Sequence, residues 1–145
     1  MSDRDSMARK CADALWGQDR ASQSMGMVLE AVRDGVARLS LTVGPQMVNG
    51  HGICHGGIIF SLADSAFAFA CNSQNRVSLG GSCSIEFLRP VQLGDELVAT
   101  AGILHQGNRS GICDVTVTAR EHTVVAHFRG RFRRLDAAIV TEDAA

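Results

Sequence analysis

The residue that most needs a chemical reason is Asp64. It sits inside the run Ile58 to Cys71, IIFSLADSAFAFAC, where only Ser61, Asp64 and Ser65 interrupt the apolar residues. An ionised carboxylate in such surroundings must be partnered or useful. Burial would raise its pKa and make it a competent base near neutral pH. The plainer reading is an Asp that reaches a backbone N–H or solvent at one edge of a helix. Immediately before the run stands His55-Gly56-Gly57. If the run is a helix, unpaired N–H groups and the positive end of its dipole fall at Gly56 and Gly57, a place suited to an oxyanion. Glycine there lets a ligand carbonyl reach the main chain with no Cβ in the way. A plain turn into the helix is the alternative.

Gly56 and Asp64 are eight residues apart, which is about 12 Å of rise along one helix. One reacting carbon cannot touch both. If both act on the same carbon, one of them comes from a second subunit, so the hypothesis demands at least a dimer with sites at the interface. Asn49, in the loop before His51 and His55, can hydrogen-bond a carbonyl or a water, although Asn-Gly is also a common turn pair. His51, Cys54 and His55 lack a second Cys pair, and His105, His122 and His127 fall in other strands, so no metal is expected.

The elements that must position these groups follow from the hydrophobic pattern. The run from Ile58 to Cys71 lacks alternation and exceeds a typical strand, so it reads as a helix buried nearly all round. Before it, alternating residues flank Arg33-Asp34-Gly35 over 25–32 and 36–43, the signature of a β-hairpin. After it come strand-like runs at 81–88, 95–105, 111–120 and 122–133, broken by Gly, Pro and Asn-bearing turns. The last places His127, Arg129, Arg131 and Arg133 on one face, either a phosphate-binding stripe or a solvated sheet face. Arg109, in the turn Gly107 to Ser110, can also reach a phosphate. The order ββ, helix, ββββ predicts an α+β fold in which an antiparallel sheet wraps one long buried helix.

A short amphipathic helix at about 3–16 is expected to pack as a lid, and residues 135–145 read as a loose tail. The 145 residues, 46% of them hydrophobic, suffice for one core and one domain spanning 1–145. Fourteen Lys and Arg against fifteen Asp and Glu give no bulk charge to attract nucleic acid or an anionic membrane. The polar start MSDRDSMARK and the absence of a long apolar run support neither a signal peptide nor a membrane span, and predict a cytoplasmic protein. Five scattered cysteines with no C-x-x-C pair predict reduced thiols.

With these residues in view, the chain resembles the phenylacetate-degradation (PaaI-like) branch of the hot-dog thioesterases. The resemblance runs from about residue 25 to 133. It is carried by NGHGICHGGIIFSLADSAFAFACNS at 49–73, with SIEFLRP at 84–90 and HQGNRSG at 105–111 in support. It implies hydrolysis of acyl-CoA to free acid and CoA, with no metal or cofactor, by a dimer or a dimer-of-dimers tetramer. Asp64 matches the family's catalytic acid, a general base or a nucleophile. Gly56 matches the N–H donor to the thioester carbonyl, and His55 and Asn49 match residues that orient substrate and water. Gly57, Ser82, Asn108 and Arg109 are expected to bind substrate. In the family the Asp of one subunit faces the Asn, His and Gly of its neighbour. A sister branch carries Glu at the acid position and Thr one turn later, where this chain has Asp64 and Ala68. Phenylacetyl or hydroxyphenylacetyl groups are the substrates implied, with Phe60, Phe67 and Phe69 as pocket or plain core.

Two other functions share these features. A hydratase or dehydratase acting on a hydroxyacyl thioester would use His55 as base, but the chain has Gly-Gly-Ile-Ile where those enzymes carry a Pro-Gly-Val-Pro type of stretch. A non-catalytic acyl-CoA-binding protein would call for an attached DNA-binding segment or an inert residue at position 64.

Overall fold

The computed structural model describes residues 2–141. In chain order it contains α1 (Asp3–Trp16), α2 (Arg20–Ser24), β1 (Val28–Arg33) and β2 (Val36–Thr42). A 3-10 turn at Pro45–Met47 leads to α3 (Gly56–Cys71), followed by β3 (Ser78–Phe87), β4 (Glu96–Gln106), β5 (Ser110–Ala119) and β6 (Thr123–Arg134). The strands form one antiparallel sheet in the order β1-β2-β4-β5-β6-β3. Breaks of register in β1, β3, β4 and around Thr118 of β5 add the local bends that curl it. The curled sheet holds α3, which packs against all six strands.

Alternation on the strands and continuity on α3 meet in one core. Leu39, Leu41, Leu97, Ala99, Val115, Val117, Phe128 and Phe132 turn inward onto Leu62, Ala63, Ala66, Phe67 and Ala70. Phe67 stacks obliquely on Phe128 at 5.5 Å and edge-on to Phe132 at 6.4 Å, Phe60 meets Phe128 at 5.5 Å, and Phe69 meets Trp16 at 6.0 Å. Phe67 and Phe69 are buried in the core, and Phe60 packs against it. The Phe67 ring fills the space over Gly130, where an added Cβ would fall 2.5 Å from a ring carbon. Gly130→Ala is therefore expected to cost about 1–3 kcal/mol of stability, measured as a lowered thermal midpoint.

Two expectations are revised. The α3 helix is not buried all round: Gly57, Asp64 and Ala68 are exposed and Ser61 is half-buried, so one face lies open. The segment 135–140 is tied down rather than loose. The Val77 N–H donates to the Ala137 carbonyl and the Leu135 N–H to the Val77 carbonyl, while the Asn75 side chain accepts from the N–H groups of Ile139 and Val140. Residues 142–145, the end of that expected tail, lie outside the described residues. Helix α1 packs on β1 through Ala8, Cys11 and Ala12, and the Asp5 carboxylate accepts the Asp34 N–H at 2.9 Å. That bond holds the Asp5 carboxyl below its ordinary range.

Next to the open face of α3 runs β3, hydrogen-bonded to β6 on one side and to no described strand on the other. Leu79 and Phe87 are exposed along it, and Leu88 just past its end. An unpaired strand edge with exposed apolar residues is a template for another chain.

Candidate active site

The loop ahead of α3 is shaped by Asn49. Its side-chain oxygen accepts the N–H groups of His51 at 2.9 Å and Ile53 at 3.3 Å, and its backbone closes on Ile53 and Gly52. Its amide N–H donors have no protein partner among the described residues and stay available. Gly52, at φ +79°, makes the tight turn. The loop delivers His55 to the N-cap of α3, where its Nδ1 accepts the Gly57 N–H at 2.8 Å.

That bond separates two glycines that are equivalent by sequence. Gly57 spends its N–H on the cap and is not a free donor to substrate. The Gly56 N–H has no protein partner among the described residues and stands at the positive end of a 16-residue helix. The cap also fixes the His55 tautomer: with Nδ1 accepting, the proton of the neutral ring is on Nε2, so the outward-facing nitrogen is a donor. His55→Ala should remove the cap and cost about 1 kcal/mol, whereas His55→Asn keeps an acceptor and most of the stability. Thermal melts of the two variants distinguish these outcomes.

Gly56 and Asn49 line a cavity of about 350 Å³ together with Cys54, Phe87, Arg89 and Pro90. The Phe87 ring lies so close that a Cβ on Gly56 would sit 3.2 Å from it. Sequence alone does not single out Phe87 and Arg89, because their approach to Gly56 depends on how β3 registers against β6.

Asp64 lies two turns further along the same unbroken helix, on its open face. No hydrogen bond to its carboxylate occurs among the described residues. It is accessible in one protomer yet flanked by enough apolar structure that desolvation raises its carboxyl above the ordinary range. The Asp64 carboxylate and the unpartnered Gly56 N–H thus lie on one helix, about 12 Å apart.

A carboxylate and a helix-terminal N–H are groups suited to addition at a carbonyl, and comparisons with known proteins give the family. The family model of the thioesterase superfamily matches residues 51–126. Acyl-coenzyme A thioesterase PaaI of Escherichia coli (strain K12) is 42% identical over 131 residues, 90% of this chain and 94% of that protein. The chain belongs to the thioesterase superfamily. It is a thioester hydrolase with the hot-dog fold. The structure of the E. coli PaaI protein from the phenylacetic acid degradation operon matches it with a TM-score of 0.90 at 40% identity, over 92% of this chain and 97% of that one. A Streptococcus mutans protein bound to acetyl CoA matches with a TM-score of 0.74 at 25% identity, over 77% and 90%.

Within this thioesterase the remaining expected site residues lie apart. Ser82 pairs with Arg131, which is exposed between buried Gly130 and Phe132, so Ser82 is on the outer face of the sheet, away from α3. Asn108 and Arg109 form the β4–β5 turn, where the Asn108 side chain accepts from Arg76 and the Arg109 carbonyl accepts the Arg134 N–H. That turn adjoins Arg133, while Phe87 beside Gly56 pairs with Ala126. The seven-residue difference along β6 is about 23 Å, so one protomer does not bring Arg109 and Gly56 together. On the outer face Arg129 is held by Asp114 through two bonds of 2.7 and 2.8 Å. The pair lowers the Asp114 pKa, and leaves Arg131 and Arg133 as the cations of the stripe without an ion pair among the described residues.

Proposed function

We propose that this chain is a cytoplasmic acyl-CoA thioesterase acting on aryl substrates of the phenylacetyl or hydroxyphenylacetyl type, as a dimer in which each active site uses both subunits. The observation that carries the reading is the split along α3. A carboxylate with a raised pKa lies on its open face, and a free helix-terminal N–H lies two turns away, next to an unpaired strand edge. Pairing of two β3 edges would bring a second copy against that open face and cover Leu79, Phe87 and Leu88. A tetramer would be two such dimers.

In the complete site the partner's Gly56 donates its N–H to the thioester oxygen. Asp64 takes a proton from water as the water oxygen bonds to the carbonyl carbon. The tetrahedral oxyanion is held at the helix N-terminus, where preorganised donors are worth more than in bulk water. The C–S bond then breaks, and the CoA thiolate recovers the proton from Asp64. The partner's Asn49 and the partner's His55 supply N–H donors that orient water and substrate. Direct attack by the Asp64 carboxylate, with loss of the CoA thiolate, is the other form of the same chemistry; it passes through a mixed anhydride, and water adding to the Asp64 carbonyl of that anhydride would leave one oxygen of solvent origin in Asp64 after a single turnover in labelled water.

A hydratase using His55 as base is disfavoured by the cap. The ring nitrogen that could accept a proton is already bound to the Gly57 N–H. Thiol release from acetyl-, phenylacetyl- and hydroxyphenylacetyl-CoA tests the proposal. Release fastest from the aryl thioesters is expected. No release from any of them, with water adding to an enoyl-CoA, would replace it by the hydratase reading.

A further inference from the structure

Resting on the thioesterase reading above, we propose that the cavity at the C-terminal half of α3, walled by Leu15, Ala68, Phe69, Val77 and Ile139, receives the acyl group, and that α1 and the 135–140 segment set the size it accepts. The cavity encloses about 390 Å³, within the range of about 300–1,000 Å³ common for small-molecule sites. Its position follows from the helix. Ala68 lies one turn beyond Asp64 on the same open face, about 6 Å along the axis. A thioester whose carbonyl carbon sits at Asp64 and whose acyl chain follows that face enters the cavity at Ala68. The small side chain at this position keeps the entrance open.

The chemistry of the wall selects an apolar group. Leu15 comes from α1, Phe69 from α3, Val77 from the approach to β3 and Ile139 from the C-terminal segment. Of the polar residues that share the wall, Asn72 and Asp19 are already engaged, and Gln18 is the one whose side-chain amide has no partner among the described residues. Asn72 donates to the carbonyls of Ala68 and Ser78 and accepts the Ser78 N–H, and the Asp19 carboxylate accepts from the N–H and hydroxyl of Ser22. Among the described residues no cation lines the cavity, so an acyl group ending in a carboxylate would be desolvated beside Asp19 with no opposite charge and only the neutral Gln18 amide to meet it. An arylacetyl group fits, a succinyl group does not, and an acetyl group is too short to reach past Ala68.

The far wall is built from two elements remote from Asp64 in sequence, and this makes the inference testable without touching α3. The full chain and its Ile139→Phe and Leu15→Trp variants are compared on acetyl-, phenylacetyl- and succinyl-CoA by thiol release. Narrowing the wall should lower kcat/KM for phenylacetyl-CoA about tenfold or more, the scale of a misfit in an apolar pocket, and leave acetyl-CoA within about threefold. Wild type should turn over succinyl-CoA more slowly than phenylacetyl-CoA. Because Leu15→Trp can disturb α1 packing, Ile139→Phe, at a half-buried position near the surface, decides the case. Equal effects on acetyl- and phenylacetyl-CoA, or no effect on either, overturn the assignment of this cavity while the thioesterase reading stands. Wild type inactive on all three thioesters overturns both.

Discussion

Asp64→Asn is expected to lower kcat for acyl-CoA hydrolysis about 10²–10⁴-fold, the contribution of a positioned general base, with KM nearly unchanged. The amide keeps the size and hydrogen-bonding shape of the carboxyl but cannot take a proton from water. The pH dependence carries the same assignment. A base works when deprotonated, so wild-type kcat/KM falls as pH drops through the Asp64 pKa. Desolvation displaces that acid limb above the ordinary carboxylate value. The stability effect has the opposite sense. Because the folded state holds the Asp64 proton more tightly than the unfolded chain, stability declines as pH rises from the ordinary carboxylate pKa to the raised one. The full cost persists above it. Asp64→Asn should therefore melt higher than wild type at neutral pH, with the difference vanishing in acid. Equal thiol release by the two proteins would remove Asp64 from the mechanism. A lower melting temperature for the variant would contradict the desolvated carboxylate.

How far the sequence foretold this site depends on the kind of signal involved. The hairpin around Gly35 and the apolar run of α3 were legible because their periodicities differ so plainly, and the curled sheet follows from having only one helix to wrap. The helix starts at Gly56, where the His-Gly-Gly step placed its free N–H groups, and His55 caps it, a contact that residue types alone do not announce. Strand β3 begins at Ser78, three residues before the expected start, since an edge strand carrying Gly80-Gly81 has little alternation to read. The register break there is decisive for Ser82: one extra residue turns every following side chain to the other face, and Ser82 ends beside Arg131 instead of near α3. The exposure of Asp64 was legible only as the plainer of two readings, an Asp reaching solvent at one helix edge, for a different reason. An apolar pattern states that a face will be covered, but not whether the cover comes from the same chain. Here α3 reads as buried nearly all round, and the part left open is the face that carries Asp64 and Ala68.

That open face leads to the second large effect, complementation between two inactive proteins. Gly56→Val places side-chain carbons where the Phe87 ring already approaches within 3.2 Å of a built Cβ. The donor N–H is thereby displaced while Asp64 keeps its surroundings. Asp64→Asn does the reverse. Each homodimer has two damaged sites and should be nearly inactive. In a mixed dimer with shared sites, one site combines both substitutions and the other combines the intact Asp64 with the intact Gly56. Random exchange at equal amounts makes half of the dimers mixed, each with one good site of two. Activity should then return from near zero to about a quarter of the wild-type value per chain. Unfolding and refolding the two variants together, followed by thiol release from phenylacetyl-CoA, measures it. If each site were built within one subunit, every site in every combination would stay damaged and mixing would restore nothing. Sizing of the same samples gives the companion result: recovery requires a dimer or larger, and a fully active monomer would be incompatible with a base and an oxyanion donor held about 12 Å apart on one helix.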